Sequence, residues 1–128
     1  MKPITQEWIA KAEGDFAVAQ REIRARKNPN YDAASFHAQQ CTEKYLKARL
    51  QEAGITFGKT HDLVNLLGLV LPVEPSWSIL RQDLIVLTDF AVDYRYPGSL
   101  ATKTEAQDAA KRCRRVRHTI RQSFGLPV

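Results

Sequence analysis

The sequence is poor in three things, and each shortage narrows the possibilities. Cys41 and Cys113 are its only cysteines, they lie far apart, and both fall among apolar residues of helical patterns. A disulfide framework is therefore excluded, and reduced, packed thiols are expected. No apolar run approaches the roughly 18 residues of a membrane span. The opening "MKPITQEWIAKAEGDF" turns polar and acidic too early for a secretory leader, whose apolar core would run about 7 to 15 residues. These features predict a cytoplasmic chain with no membrane partner. Glycine-based chemistry is missing as well: there is no Gly-x-Ser-x-Gly, no phosphate-cradling glycine loop and no dinucleotide fingerprint. Carboxylates paired for acid and base work are also absent, and no cofactor is expected.

What the sequence does contain is charge on an amphipathic helical frame. With 128 residues, 44% of them hydrophobic and 26% charged, it has the length and composition of one globular domain. The net charge of +5 favours an anionic partner without naming it. Lys111, Arg112, Arg114, Arg115, Arg117 and Arg121 crowd one segment near the C-terminus, whereas the acidic residues are scattered. Such a run reads either as a footprint for phosphate or as a solvated polar face.

Five segments read as helix and none as a convincing strand. Trp8, Ala12, Phe16, Ala19 and Ile23 recur every three or four residues and predict a first helix from about Thr5 to Lys27. Pro29 ends it, and Asn30 or Asp32 can cap a second helix from about Tyr31 to Ala53, where Gly54 supplies a stop. Thr60 is a candidate N-cap for a short helix bearing Leu63, Leu66, Leu67 and Val70. A fourth helix is expected from Trp77 to about Tyr94. Thr102 and Glu105 form a capping box that opens a last helix reaching about Phe124, with Ala106, Ala109, Cys113, Val116 and Ile120 inward. The predicted fold is all-α, an up-and-down bundle of four long helices and one short one.

The second helix is apolar on two sides. At 100° per residue, Ala34, Ala38, Cys41, Tyr45 and Ala48 share one face, and Phe36, Leu46 and Leu50 lie nearly opposite. Either the helix is central, or its second face meets another copy of the chain, and the latter predicts a homodimer. Between the faces runs a polar stripe of His37, Gln40, Lys44, Lys47 and Gln51.

Several constellations are chemically suggestive. Lys44 and Lys47, one turn apart, are placed to hold phosphate oxygens as point charges, or serve solubility with Glu43 as an i,i+4 partner of Lys47. His61 either contributes to that site or bonds to a neighbouring helix. His37 and Cys41 stand four apart, but no further ligands occur at recognisable spacing, so no metal is expected. "RYPG" joins Arg95, suited to bidentate phosphate contact, to Tyr96, suited to stacking on a base, or it is an ordinary loop.

Together, "WIAKAEGDFAVAQ", "FHAQQCTEKYLKARL", "KTHDLVNLL" and "DYRYPG", in that order, resemble the HEPN domain, a helical family linked to nucleotides and RNA. The likeness spans nearly the whole chain and identifies residues 1–128 as a single HEPN-like domain. It implies a homodimer, a small nucleotidyltransferase protein as partner in a toxin and antitoxin pair, and nucleotide or RNA as ligand. The residues then implicated are Lys44, Lys47 and Arg95 for phosphate, Tyr96 for stacking and His61 for positioning. Some members of the family are metal-independent ribonucleases with an Arg-x(4 to 6)-His motif; others bind nucleotides or act as accessory subunits or interaction modules. In "RCRRVRH", Arg112 and His118 satisfy the motif's spacing. On a continuous helix they would stand about 120° apart. Arg114 and His118, four apart, would share a face with Lys111 and Arg121, at a spacing shorter than the usual pattern. Arg95 has no histidine within the next six residues.

Overall fold

The computed structural model describes residues 1–91 and 97–128. Within them the order is α1 (Pro3–Arg24), α2 (Tyr31–Ala53), α3 (Leu63–Val70), a 3₁₀ turn (Pro75–Leu80), α4 (Arg81–Thr88) and α5 (Lys103–Ser123). No strand occurs among the described residues. The expected all-α bundle is the observed fold.

The capping chemistry explains the helix limits. Pro3 occupies the first turn of α1, where its missing N–H is not needed. Asn30 caps α2 by accepting from Ala33 N, and Gly54 ends it in the left-handed conformation, φ 71°. The capping box at α5 forms as its sequence requires, with Thr102 Oγ1 and Glu105 each serving the other's backbone N–H.

Several boundaries differ from expectation: α1 starts at Pro3 and ends at Arg24 rather than running from Thr5 to Lys27, so the helix stops before Pro29 is reached. α3 is capped by Asp62, whose Oδ1 accepts from Val64 N and Asn65 N. Thr60 instead accepts from Asp62 N, one step outside the helix. The predicted single helix from Trp77 is in fact a 3₁₀ turn that passes into α4. In a three-residue repeat Trp77 and Leu80 fall on one side, and both are buried. α4 ends at Thr88, well short of the expected Tyr94, which itself lies outside the described residues, so among the described residues three helices are long and two, α3 and α4, are short.

The question posed by the two-faced helix is settled within one chain. Ala38, Cys41, Tyr45 and Ala48 are fully buried, and so are Leu46 and Leu50 on the opposite side. α2 is the central helix, packed against α1, α3, α4 and α5. Leu46 and Leu50 of its second apolar face are therefore covered internally, whereas Phe36 of that face stays half-buried outside the core. Leu63, Leu66, Leu67 and Val70 of α3, Leu84 and Leu87 of α4, and Val116 and Ile120 of α5 complete the core. Burying each such side chain contributes about 1.5–3 kcal/mol. No helix of the described residues is long and apolar enough to cross a membrane.

Candidate functional site

A central helix carrying polar residues must bury some of them, and α2 does so in two carboxylate clusters. Glu43 is buried, and its carboxylate accepts from His61 Nδ1 at 2.8 Å, Lys47 Nζ at 2.9 Å and Gln39 Nε2 at 3.1 Å. Burial pushes the Glu43 carboxyl up, but the bonds from His61, Lys47 and Gln39 outweigh it and leave Glu43 below the usual carboxylate value. Lys47 is only 6% exposed, and its ammonium lies 5.8 Å from the ring centroids of both Trp8 and Phe57. His61, by contrast, keeps 62% of its side chain exposed. The second cluster faces α1, where buried Asp15 pairs with His37 Nδ1 at 2.7 Å and with Lys44 Nζ.

Lys44 and Lys47 are thus neighbours in sequence with different partners: Lys44 turns to Asp15 of α1 and Lys47 to Glu43 of α2 itself. His61 joins Lys47 through Glu43. Arg95 and Tyr96 lie outside the described residues.

The basic run of α5 divides in the same way. Arg117 forks onto Glu13 through Nε at 2.8 Å and Nη2 at 2.7 Å, and its guanidinium lies 4.4 Å from the Phe16 ring centroid. The buried Tyr45 hydroxyl donates to Glu13 at 2.6 Å and accepts from Arg121 Nη1 at 3.0 Å. The bond from Arg117 holds Glu13 below the usual carboxylate range, and burial, together with the bond to Glu13, pushes the Tyr45 phenol up. Arg121 also donates to Pro127 O, so it leaves the face that it was expected to share with Arg114 and His118.

The rest of the run borders a groove of about 780 Å³ between α5 and the 3₁₀–α4 segment. Its lining includes Lys111, Arg112, Arg114, Arg115, His118 and Thr119 from one wall, with Ile79, Leu80, Gln82 and Asp83 from the other. Asp83 is buried and is the sole acidic residue in that lining. It accepts from Arg112 Nη1 at 3.0 Å and from Arg115 through Nε at 3.0 Å and Nη2 at 2.6 Å. Arg112 donates in addition to Asp108 at 2.8 Å. These bonds, to Asp108 first for Arg112 and to Asp83 for Arg115, raise the guanidinium pKa values further. Among the described residues the Lys111, Arg114 and His118 side chains have no ion-pair partner. Ile79 is 82% exposed at the rim.

All three residues nominated from the ribonuclease motif, Arg112, Arg114 and His118, border this groove. α5 is continuous through them, and although Arg112 and His118 were expected about 120° apart, both line the groove, with Arg112 bonded to Asp83 and Asp108. Arg114 and His118 share the open wall. No local pattern pointed to Asp83 or Ile79, because Asp83 meets its arginines 29 and 32 residues away and only tertiary packing brings them together. No group of three or more His, Cys, Asp or Glu residues suited to a metal occurs among the described residues.

The bundle and its groove define an all-α protein with a wall of basic side chains, and comparison with known proteins gives the family. The HEPN domain model matches residues 5–123, and the chain belongs to the HEPN domain family. Two solved structures share the fold. The protein TT1696 from Thermus thermophilus is 21% identical over 92% of this chain and 96% of its own, with a TM-score of 0.80. ST0689, described as an archaeal HEPN homologue, is 25% identical over 96% of this chain and 98% of its own, with a TM-score of 0.75. No curated protein matches significantly.

Proposed function

We propose that this HEPN-domain chain binds nucleotide or RNA phosphate along the α4–α5 groove, as an accessory or toxin-like partner of a small nucleotidyltransferase. The observation that carries the reading is the gathering of five basic side chains on one wall against a single carboxylate. Phosphate contacts of this kind depend on unneutralised cations, and Lys111 and Arg114 supply them. The lysines of α2 take no part, since neither borders the groove and each is turned to a buried carboxylate elsewhere. Membership of the HEPN family supports the nucleotide and RNA side of the reading. A homodimer and the nucleotidyltransferase partner follow from the family resemblance; the exposed Ile79 and Leu100 are apolar side chains available to a protein contact.

A second reading, metal-independent ribonuclease, is favoured by one observation: Arg114 and His118 stand one helical turn apart on the open wall with no internal ion-pair partner. One experiment addresses both. Single-stranded RNA is titrated into the parent, Lys111→Ala/Arg114→Ala and His118→Ala proteins in chelating buffer, with anisotropy and product gels as readouts. Removing two phosphate contacts should weaken binding at least tenfold and flatten the slope of log K against log salt by about 1.4. Equal binding by the double variant would sink the groove as the site. Cleavage lost in His118→Ala makes the chain a nuclease, whereas binding without cleavage leaves the accessory reading.

A further inference from the structure

A buried carboxylate in the wall of an anion site is at first sight an obstacle. Asp83 places a negative charge beside the cations that would receive a phosphate, and by charge alone its removal would strengthen anion binding. The geometry of its bonds argues for a different role. Arg115 approaches Asp83 side-on, using Nε–H and one N–H of Nη2. A guanidinium has five N–H groups, so this pairing leaves both hydrogens of Nη1 and one of Nη2, a second fork on the outer edge. Arg112 is held from two directions, its Nε by Asp108 and its Nη1 by Asp83, which leaves Nη2 and the second Nη1 hydrogen unused. The two planes share one carboxylate, Asp83, that is itself almost fully buried on α4, and Asp108 adds a second hold on Arg112.

We propose that Asp83 is a positioning residue: it locks the guanidinium planes of Arg112 and Arg115 so that their outer N–H edges face the groove as a preformed phosphate receptor. The inference rests on the groove's being the phosphate site. Long arginine side chains each lose rotamer freedom when they grip a ligand, and a carboxylate that has already ordered them removes that cost from the binding step. Lys111 and Arg114, which lack such a support, contribute charge without direction.

The test is a sign. In Asp83→Asn the negative charge is gone but the shape remains, and single-stranded RNA is titrated against it and the parent at several salt concentrations. Positioning predicts binding about fivefold weaker, with the salt slope unchanged, because no phosphate-facing cation has been removed. Binding equal to or tighter than the parent's overturns the inference. Arg115→Lys supplies an independent arm, since Arg115 is half-exposed and its loss leaves the core intact. It keeps the charge and loses the fork, so a similar weakening at unchanged thermal stability supports the proposal, and parental affinity overturns it even if Asp83→Asn does not fold. Parental RNA binding that survives Lys111→Ala/Arg114→Ala removes the groove reading and this inference together. Binding lost in that double variant but not in Asp83→Asn or Arg115→Lys removes the inference alone.

Discussion

Two basic regions of this molecule hold their cations differently. On α2, each of Lys44 and Lys47 has its own buried carboxylate, and His37 and His61 bond to those same carboxylates. On the outer wall of α5, Lys111, Arg112, Arg114, Arg115 and His118 line a groove whose one acidic lining residue is Asp83, with Asp108 also bonding Arg112. Lys44 and Lys47 do not border the groove, whereas the cations of α5 line it and keep N–H groups open to something outside the chain. Density of positive charge in the sequence does not separate the two cases. The position of the acids does, and only Asp15 and Asp83 come from other helices, whereas Glu43 and Asp108 stand one turn from their cations on the same helix.

The contrast can be broken most sharply at Glu43. Glu43→Ala leaves Lys47 buried and unpaired among Trp8 and Phe57, and breaking a buried pair in this way costs about 3 kcal/mol. Urea denaturation should show that loss, while RNA affinity of the folded fraction stays at the parental value. A stability change below about 1 kcal/mol would mean that the cluster is not a structural support. A smaller effect separates Lys44 from the groove cations. Lys44→Ala should lower stability by roughly 1 kcal/mol and leave RNA binding untouched, the reverse of the pattern expected for Lys111→Ala/Arg114→Ala. If Lys44→Ala instead weakened RNA binding tenfold, the division between the regions would fail.

The mildest probe is acid. Glu43 and Glu13 both have folded-state pKa values below their ordinary ones, so the unfolded chain binds more protons than the folded chain in that range. Their contribution is complete above the ordinary Glu value of about 4.3 and is lost as pH falls through the folded values. Thermal melts from pH 6 downward should therefore lose stability more steeply in the parent than in Glu43→Gln. Parallel curves would show that the bonds to His61, Lys47 and Gln39 leave the Glu43 carboxyl unaffected.

Much of the architecture was legible in the sequence. α2 has the predicted limits because Asn30 and Gly54 are strong local signals, and the Thr102–Glu105 box opens α5 where expected. Local signals were weaker elsewhere: Thr60 and Asp62 both offer cap oxygens within two residues, and the second was used. Spacing of three and four around Trp77 does not separate a 3₁₀ turn from an α-helix when the turn is short. The site was less legible than the fold. Periodicity showed which residues of α2 and α5 share a face, but not that Asp15, Glu13 and Asp83 would neutralise particular partners across the bundle. Arg121 illustrates the limit, since its register matched Arg114 while its side chain turned to Tyr45 and the chain end.

The central place of α2 also bears on the order of assembly. α1 and α2 are consecutive and share the most extensive helix contact in the bundle, so a hairpin of neighbours can associate while the rest of the chain is still being made. That hairpin is incomplete: Cys41 lies beside Cys113 of α5, and Glu13 has its arginine 104 residues downstream. Until α5 arrives, the nascent hairpin presents an uncovered apolar seam to water, and closure of that seam by the last helix is the step that joins the two ends of the chain.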